Sequence, residues 1–417
     1  MPTLTSEVPL STGLPPRTGG PIAIAPRLDS VDLLRGIIMV VMSLDHLREY
    51  LTYLSFPPEN LSLTWPALFF TRWITHFCAP LFFFLAGTGA YLRLQRRGSI
   101  SEVSHFLWTR GLWLVVLEMT VCGFAWSFRP FFFAGVIWAL GLCMVINAAI
   151  VRLPLRWIAA LGLGMIFLHN LLDPLQPKTF GSLGWLWNFI HAPGFIPVFP
   201  GRGMLIVLYV LLPWIGVMSA GFALGAILSL PAARRRKIML LIGTAAIALF
   251  VLLRATNIYG NPTSTPFPGG GAFAPQPTTG MTLVAFLNVE KYPPSLDFLL
   301  MTLGPGLLAL AAFDGIRATR SRIAGKFVVF GRVPLFYYVI HIYTAHLIAI
   351  VAALAFHQPI ARLLNGTYVF SRPEPGYGHH LGFIYVVWMA MNVALYFPCR
   401  WYAEYKRTHH QWWLSYL

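Results

Sequence analysis

Apolar runs long enough to cross a bilayer recur along almost the whole chain. They begin near Leu33, Ala67, Phe106, Phe131, Leu155, Met204, Ile238, Leu296, Val333 and Leu381. About twenty apolar residues span a hydrocarbon core as a helix, and only helices or closed barrels satisfy their backbone groups there. The pattern predicts an all-α, polytopic transmembrane bundle of about ten helices. Composition agrees, since 57% of the 417 residues are hydrophobic and 11% are charged, against about a quarter charged in soluble proteins. The net charge of +16 does not point to nucleic acid, because the cations fall in short clusters between apolar runs, as topology signals do. Cys78, Cys122, Cys143 and Cys399 lie in or at the ends of apolar runs without a close CxxC pair, which argues against disulfides and a zinc-thiolate site.

The connections alternate in charge. Arg93, Arg96, Arg97 and Arg110 flank the second, Arg152 and Arg156 the fourth, "RRRK" from Arg234 the sixth, and Arg317, Arg320, Arg322 and Lys326 the eighth. Odd-numbered connections are cation-poor and often long, notably 171–202, 257–295 and 357–380. By the positive-inside rule both termini face the cytoplasm and the long loops face outward. Residues 1–27, rich in Pro, Ser and Thr and lacking an apolar signal core, read as a disordered cytoplasmic tail ahead of a membrane domain at 28–417. The Pro- and Gly-rich fifth and seventh connections, such as 261–277, are expected to lack regular structure and to act either as lids over an outer vestibule or as plain surface loop. Asn60 and Asn365 head Asn-x-Ser/Thr sequons on the same face, which chance explains.

The first run, "SVDLLRGIIMVVMSLDHLREYL", carries six ionisable groups inside a spanning length. A charge near the bilayer centre costs at least about 2.5 kcal/mol, so each needs a partner or a water-filled cavity. At 100° per residue Asp32, Arg35, Met39, Met42, His46, Glu49 and Tyr50 share one face, and Asp45 lies off it. Arg35 and His46 stand about 16 Å apart along the axis, so one helix lines both ends of a polar passage. The bland alternative pairs Asp32 with Arg35 near the headgroups and leaves His46 as a packing residue. A neutral imidazole suits proton removal from a hydroxyl or amine, since it titrates near working pH.

Other polar residues fall at matching depth. Helix 2 has Arg72 and His76 near its outer end, with Pro80 four residues on favouring a kink, and Gly87 and Gly89 permitting close packing. Helix 3 buries Glu118 in mid-membrane, where it needs a partner. Helix 5 ends in "FLHNLLDPL" with His169, Asn170 and Asp173, and helix 9 carries Tyr338, His341 and His346. For each secondary histidine, helix packing is as good an explanation as chemistry. No H-E-x-x-H spacing appears, and no metal is expected; Walker A, dinucleotide and G-x-S-x-G motifs are also absent.

The blocks "RLDSVDLLRGIIMVVMSLDHLREYL", "THFCAPLFFFLAGTGAYL", "HNLLDPL", "LLPWIGVMSAGFALG", "KYPPSLDFLLMTLGP", "GRVPLFYYVIHIYTAHL" and "CRWYAEYKRTHHQWWLSYL" together carry a resemblance. From about Arg27 to the C-terminus the chain resembles the bacterial branch of the heparan-α-glucosaminide N-acetyltransferase catalytic-domain family. The Arg35-x10-His46 spacing is also similar to the first-helix arginine-histidine pattern of the acyltransferase-3 family. The resemblance implies a bundle that accepts an acyl group from cytosolic acyl-CoA and delivers it to an acceptor on the far side, typically a sugar. One departure matters. The lysosomal enzyme aligns asparagine with His46, aspartate with His76, and places its proposed catalytic histidine in the loop after helix 1. Here that loop, "TYLSFPPENLSLTWP", has no histidine, so the resemblance moves catalysis to His46 or His76.

The resulting expectation is an inner-membrane acyltransferase of a bacterium, using acetyl-CoA or another acyl-CoA to modify an extracytoplasmic carbohydrate or envelope glycan. His46 is the expected general base, with direct transfer and an acyl-histidine intermediate both open; His76 shares or orients its proton, and Asp45 and Glu49 tune the imidazole. Arg35 meets the donor; His169, Asn170 and Asp173 hold the acceptor; Arg72, Lys291, Tyr338 and His341 complete the substrate-binding set. Membrane lipids surround the chain, and self-association into a homodimer is left open. The rival expectation is a proton-coupled transporter or flippase of a polar or lipid-linked solute, in which the same groups relay protons.

Overall fold

The computed structural model describes residues 28–129, 132–199, 203–261, 270–317, 320–364, 373–409 and 411–416. The expected tail at 1–27, the Asn365 sequon and the centre of the Pro/Gly stretch, 262–269, lie outside the described residues.

The expected ten helices form, as α1 (Asp29–Leu51), α2 (Pro66–Arg97), α3 (Ile100–Ser127), α4 (Val136–Ile150), α5 (Leu155–Leu172), α6 (Leu211–Leu228), α7 (Ala232–Thr256), α8 (Leu296–Phe313), α9 (Pro334–Ala355) and α10 (Leu381–Thr408). Eight of them are long and apolar enough to cross a membrane; α1 has the length but carries the charges, and α4 is shorter. The protein is an all-α polytopic bundle. Large apolar side chains face outward on the peripheral helices, including Leu241 and Leu252 of α7 and Val386, Val393, Phe397 and Trp401 of α10. Such a belt is stable in lipid and would aggregate in water.

At the centre, α1 packs against α2, α8, α9 and α10 and against a short helix at Arg322–Arg332. A Cβ on Gly331 of that helix would lie 1.8 Å from the Asp32 carbonyl oxygen, so only glycine permits this crossing. In the same way a Cβ on Gly87 would meet the Met218 carbonyl oxygen at 1.9 Å, which locks α2 to α6. Gly89 departs from the packing role expected of it: it meets nothing and borders a cavity instead. The expected irregularity before Pro80 is present as a 3-10 turn at Ile74–Phe77, because proline cannot return an N–H to the preceding turn.

Two expected helix starts are strands. Phe133–Ala134 (β1), Gly194–Phe199 (β2) and Gly203–Val207 (β3) form a sheet of order β1-β3-β2, parallel between β1 and β3 and antiparallel between β2 and β3. Accordingly α4 begins at Val136 rather than near Phe131, and α6 at Leu211 rather than near Met204. The long connections are also more regular than expected, with helices at Gly184–Ile190 and Thr279–Leu287. The sheet and these helices sit at the loop-rich end of the bundle; the opposite end carries the basic connections.

Candidate active site

Two cavities lie along α1. The one toward the loop-rich end, about 100 Å³, is lined by Met42, Asp45, His46 and Glu49 of α1, Arg72, Thr75 and Phe82 of α2, Trp126, Phe133, Val136, Tyr209, Lys291, Tyr292 and Tyr338. The one toward the basic end, about 290 Å³, is lined by Arg35 and Met39 of α1, Phe82, Ala86 and Arg93 of α2, Phe106 and Arg110 of α3, Val136, Ile137, Leu140, Leu335 and Tyr338. Phe82, Val136 and Tyr338 border both. The α1 positions 35, 39, 42, 46 and 49 step by three or four, which keeps one face along both chambers. Asp45 also reaches the loop-end chamber, although it lies off that stripe.

His46 is fixed by His341, a residue expected in the substrate-binding set rather than as its partner. Its Nδ1 stands 2.8 Å from Nε2 of His341, whose own Nδ1 is 3.0 Å from the Tyr337 carbonyl oxygen. A carbonyl only accepts, so His341 carries its hydrogen on Nδ1 and its Nε2 accepts from His46 Nδ1–H. This tautomer, assigned from the partners, leaves the lone pair on Nε2 of His46. The His46 ring is half-buried and borders the cavity. The helices that carry the pair are held together by Ser43, Tyr337 and Asn392: Tyr337 Oη donates to Asn392 Oδ1 at 2.6 Å, and Asn392 Nδ2 donates to Ser43 Oγ at 3.1 Å.

Asp45 does not orient the imidazole. Arg48 Nη2 lies 3.0 Å from its Oδ1, and Arg72 Nη1 bonds its Oδ2. Arg72 Nε in turn donates to Glu59 Oε1 at 2.7 Å. The result is a buried ladder, Arg48–Asp45–Arg72–Glu59, that pins the α1–α2 connection onto the bundle. Glu49 approaches Arg48 at 3.7 Å rather than His46. Burial works against charge on Glu59, yet Arg72 and His76 outweigh it and hold the carboxyl well below the usual range. Glu59 was not singled out from the sequence, and its pairing with a residue thirteen positions away has no periodic signal. His76 borders neither cavity; its Nε2 lies 3.7 Å from Glu59 and its ring packs on Phe298. The expected proton-sharing between His76 and His46 is therefore not the arrangement found.

Of the remaining expected residues, Lys291 and Tyr338 border the loop-end chamber and Arg35 the other. Arg35 also pairs with Asp32 at 3.2 Å and donates to the Gly331 carbonyl at 3.3 Å. The expected acceptor-binding trio of α5 is corrected. Both ring nitrogens of His169 face carbonyl oxygens, with Nε2 2.8 Å from that of Pro294. Asn170 Oδ1 accepts from Leu296 N–H at 2.8 Å, and Asp173 takes Asn170 Nδ2 at 2.9 Å and His191 Nε2 at 2.9 Å. These polar atoms are spent on holding loops, away from both chambers.

A family model described as heparan-alpha-glucosaminide N-acetyltransferase, catalytic, matches residues 27–259. The chain belongs to this family. The match makes it a membrane acetyltransferase of that general kind, and covers α1 to α7 with His46, Glu59 and Arg72. Lys291, Tyr338 and His341 lie beyond the matched stretch, so the cavity joins residues from both parts. A search of curated proteins found no match.

Proposed function

We propose that the protein transfers an acetyl group from cytosolic acetyl-CoA to a sugar or envelope glycan on the far side of a bacterial inner membrane. The observation that carries this reading is the two cavities along α1 that share Phe82, Val136 and Tyr338 as lining, with His46 bordering one and three arginines the other. Arg35, Arg93 and Arg110 come from three helices to the basic-end chamber, and Arg93 stacks on Phe106 with its guanidinium carbon 4.0 Å from the ring centroid. Planar guanidiniums suit the phosphates of CoA, and the apolar walls suit an acyl-pantetheine arm. In this reading the arm passes the three shared side chains so that its thioester lies beside His46. Nε2 of His46 takes the proton of the attacking hydroxyl or amine, His341 holds the ring in the required tautomer, and the same proton then goes to the departing CoA thiolate.

Incubating purified protein with radiolabelled acetyl-CoA and a panel of sugars tests the reading. Label in the sugar and stoichiometric free CoA support it; solute movement without thioester consumption supports the transporter.

A further inference from the structure

Among the described residues two cations, Arg72 and Lys291, line the loop-end chamber, and a third, Arg48, pairs with its lining carboxylate Asp45. Arg48 and Arg72 are answered by Asp45 and Glu59 at hydrogen-bonding distance. Lys291 differs. It is 8% exposed and borders the same chamber as His46, and its ammonium makes no hydrogen bond or ion pair among the described residues. The Tyr292 ring lies 5.1 Å away, and the Asp45 and Glu49 carboxyls of the same chamber act on the ammonium electrostatically without contact. A buried ammonium without a fixed counter-ion is costly, and an ammonium held beside a general base is placed for negative charge that appears only during reaction.

We propose that Lys291 is a further catalytic residue, the electrophile that stabilises the tetrahedral oxyanion of acyl transfer; this rests on the acyltransferase reading. The acceptor oxygen or nitrogen bonds to the thioester carbonyl carbon as His46 Nε2 takes its proton, and the carbonyl π pair moves onto oxygen, facing the Lys291 ammonium. When that pair returns, the carbon–sulfur bond breaks and the thiolate takes the proton from His46. Glu49, across the same chamber, makes a standing anion a poor ligand for this site, whereas an oxyanion on a held thioester is positioned by the donor. Removal of one such donor in other enzymes costs about 10²–10³ in turnover.

The experiment uses detergent-purified full chain, acetyl-CoA, and hydroxylamine as the acceptor, with acetohydroxamate measured above the uncatalysed rate. Lys291→Met is expected to lower kcat by about 10²-fold or more with the KM for acetyl-CoA within about two-fold, while Lys291→Arg recovers part of the loss. Equal acetyl-CoA binding by calorimetry shows that both variants are folded. A kcat for Lys291→Met within about three-fold of wild type, or a loss confined to KM, overturns the role of Lys291 alone. Wild-type protein without turnover of acetyl-CoA on hydroxylamine or sugars overturns the acyltransferase reading and the proposal with it.

Discussion

The His46 and His169 regions look alike in sequence: each puts a histidine on a helix toward the loop-rich end of the bundle with an aspartate within four residues of it. They differ in what their polar atoms are committed to. Around His169 both ring nitrogens meet carbonyls, and Asp173 binds Asn170 and His191. Around His46 the neighbouring Asp45 is consumed by two arginines, and the imidazole shares one nitrogen with His341 while the ring borders a cavity. A residue type therefore does not mark a site. What marks it is an uncommitted atom facing space that a substrate can fill.

Substitutions should separate the two regions. His46→Ala is expected to lower kcat by about 10²–10⁴-fold, the range for a general base, with little change in thermal stability. Steady-state kinetics and a thermal melt on the same preparation check this, and near-normal turnover would merge the two histidines into one structural class. His341→Ala should cost about ten- to a hundred-fold in kcat at unchanged KM for acetyl-CoA, because it removes the tautomer constraint rather than the base.

Arg72→Met should act on stability first. It strands Asp45 and Glu59 in a buried ladder, a change that costs about 3–5 kcal/mol and is read from the melt. His169→Ala should lower stability by about 1–3 kcal/mol, the cost of leaving buried partners unmet, with kcat nearly unchanged; a large loss of kcat without destabilisation would return the α5 trio to the site. The smallest effect concerns pH. The Glu59 carboxyl is held low in the folded protein, so its contribution is complete above its unfolded pKa and fades only as pH falls toward the folded one. The stability difference between wild type and Glu59→Gln should thus stay flat from about pH 6 to 8 and shrink only in acid, as melts across pH will show.

The helical framework was legible because hydropathy and charge alternate with the connections. The α1 stripe was legible because 100° per residue places Arg35, Met39, Met42, His46 and Glu49 on one face. The β3 segment "GMLIV" was not, since an apolar run of that length joined to α6 reads as its first turns. The pairing of His46 with His341 crosses 295 positions, and a single sequence holds no signal for it. Asp45 illustrates the remaining gap: its position and its i,i+3 neighbour Arg48 were readable, but its second partner, Arg72, depends on how α2 packs against α1.

The central claim is that the two chambers form one route for the thioester to His46. Reconstituting the protein in sealed vesicles, with radiolabelled acetyl-CoA on the basic face and the acceptor sugar on the loop-rich face, tests it most directly. The account predicts labelled sugar on the side opposite the donor, lost in His46→Ala. Labelled sugar formed only when both substrates share one compartment would contradict it.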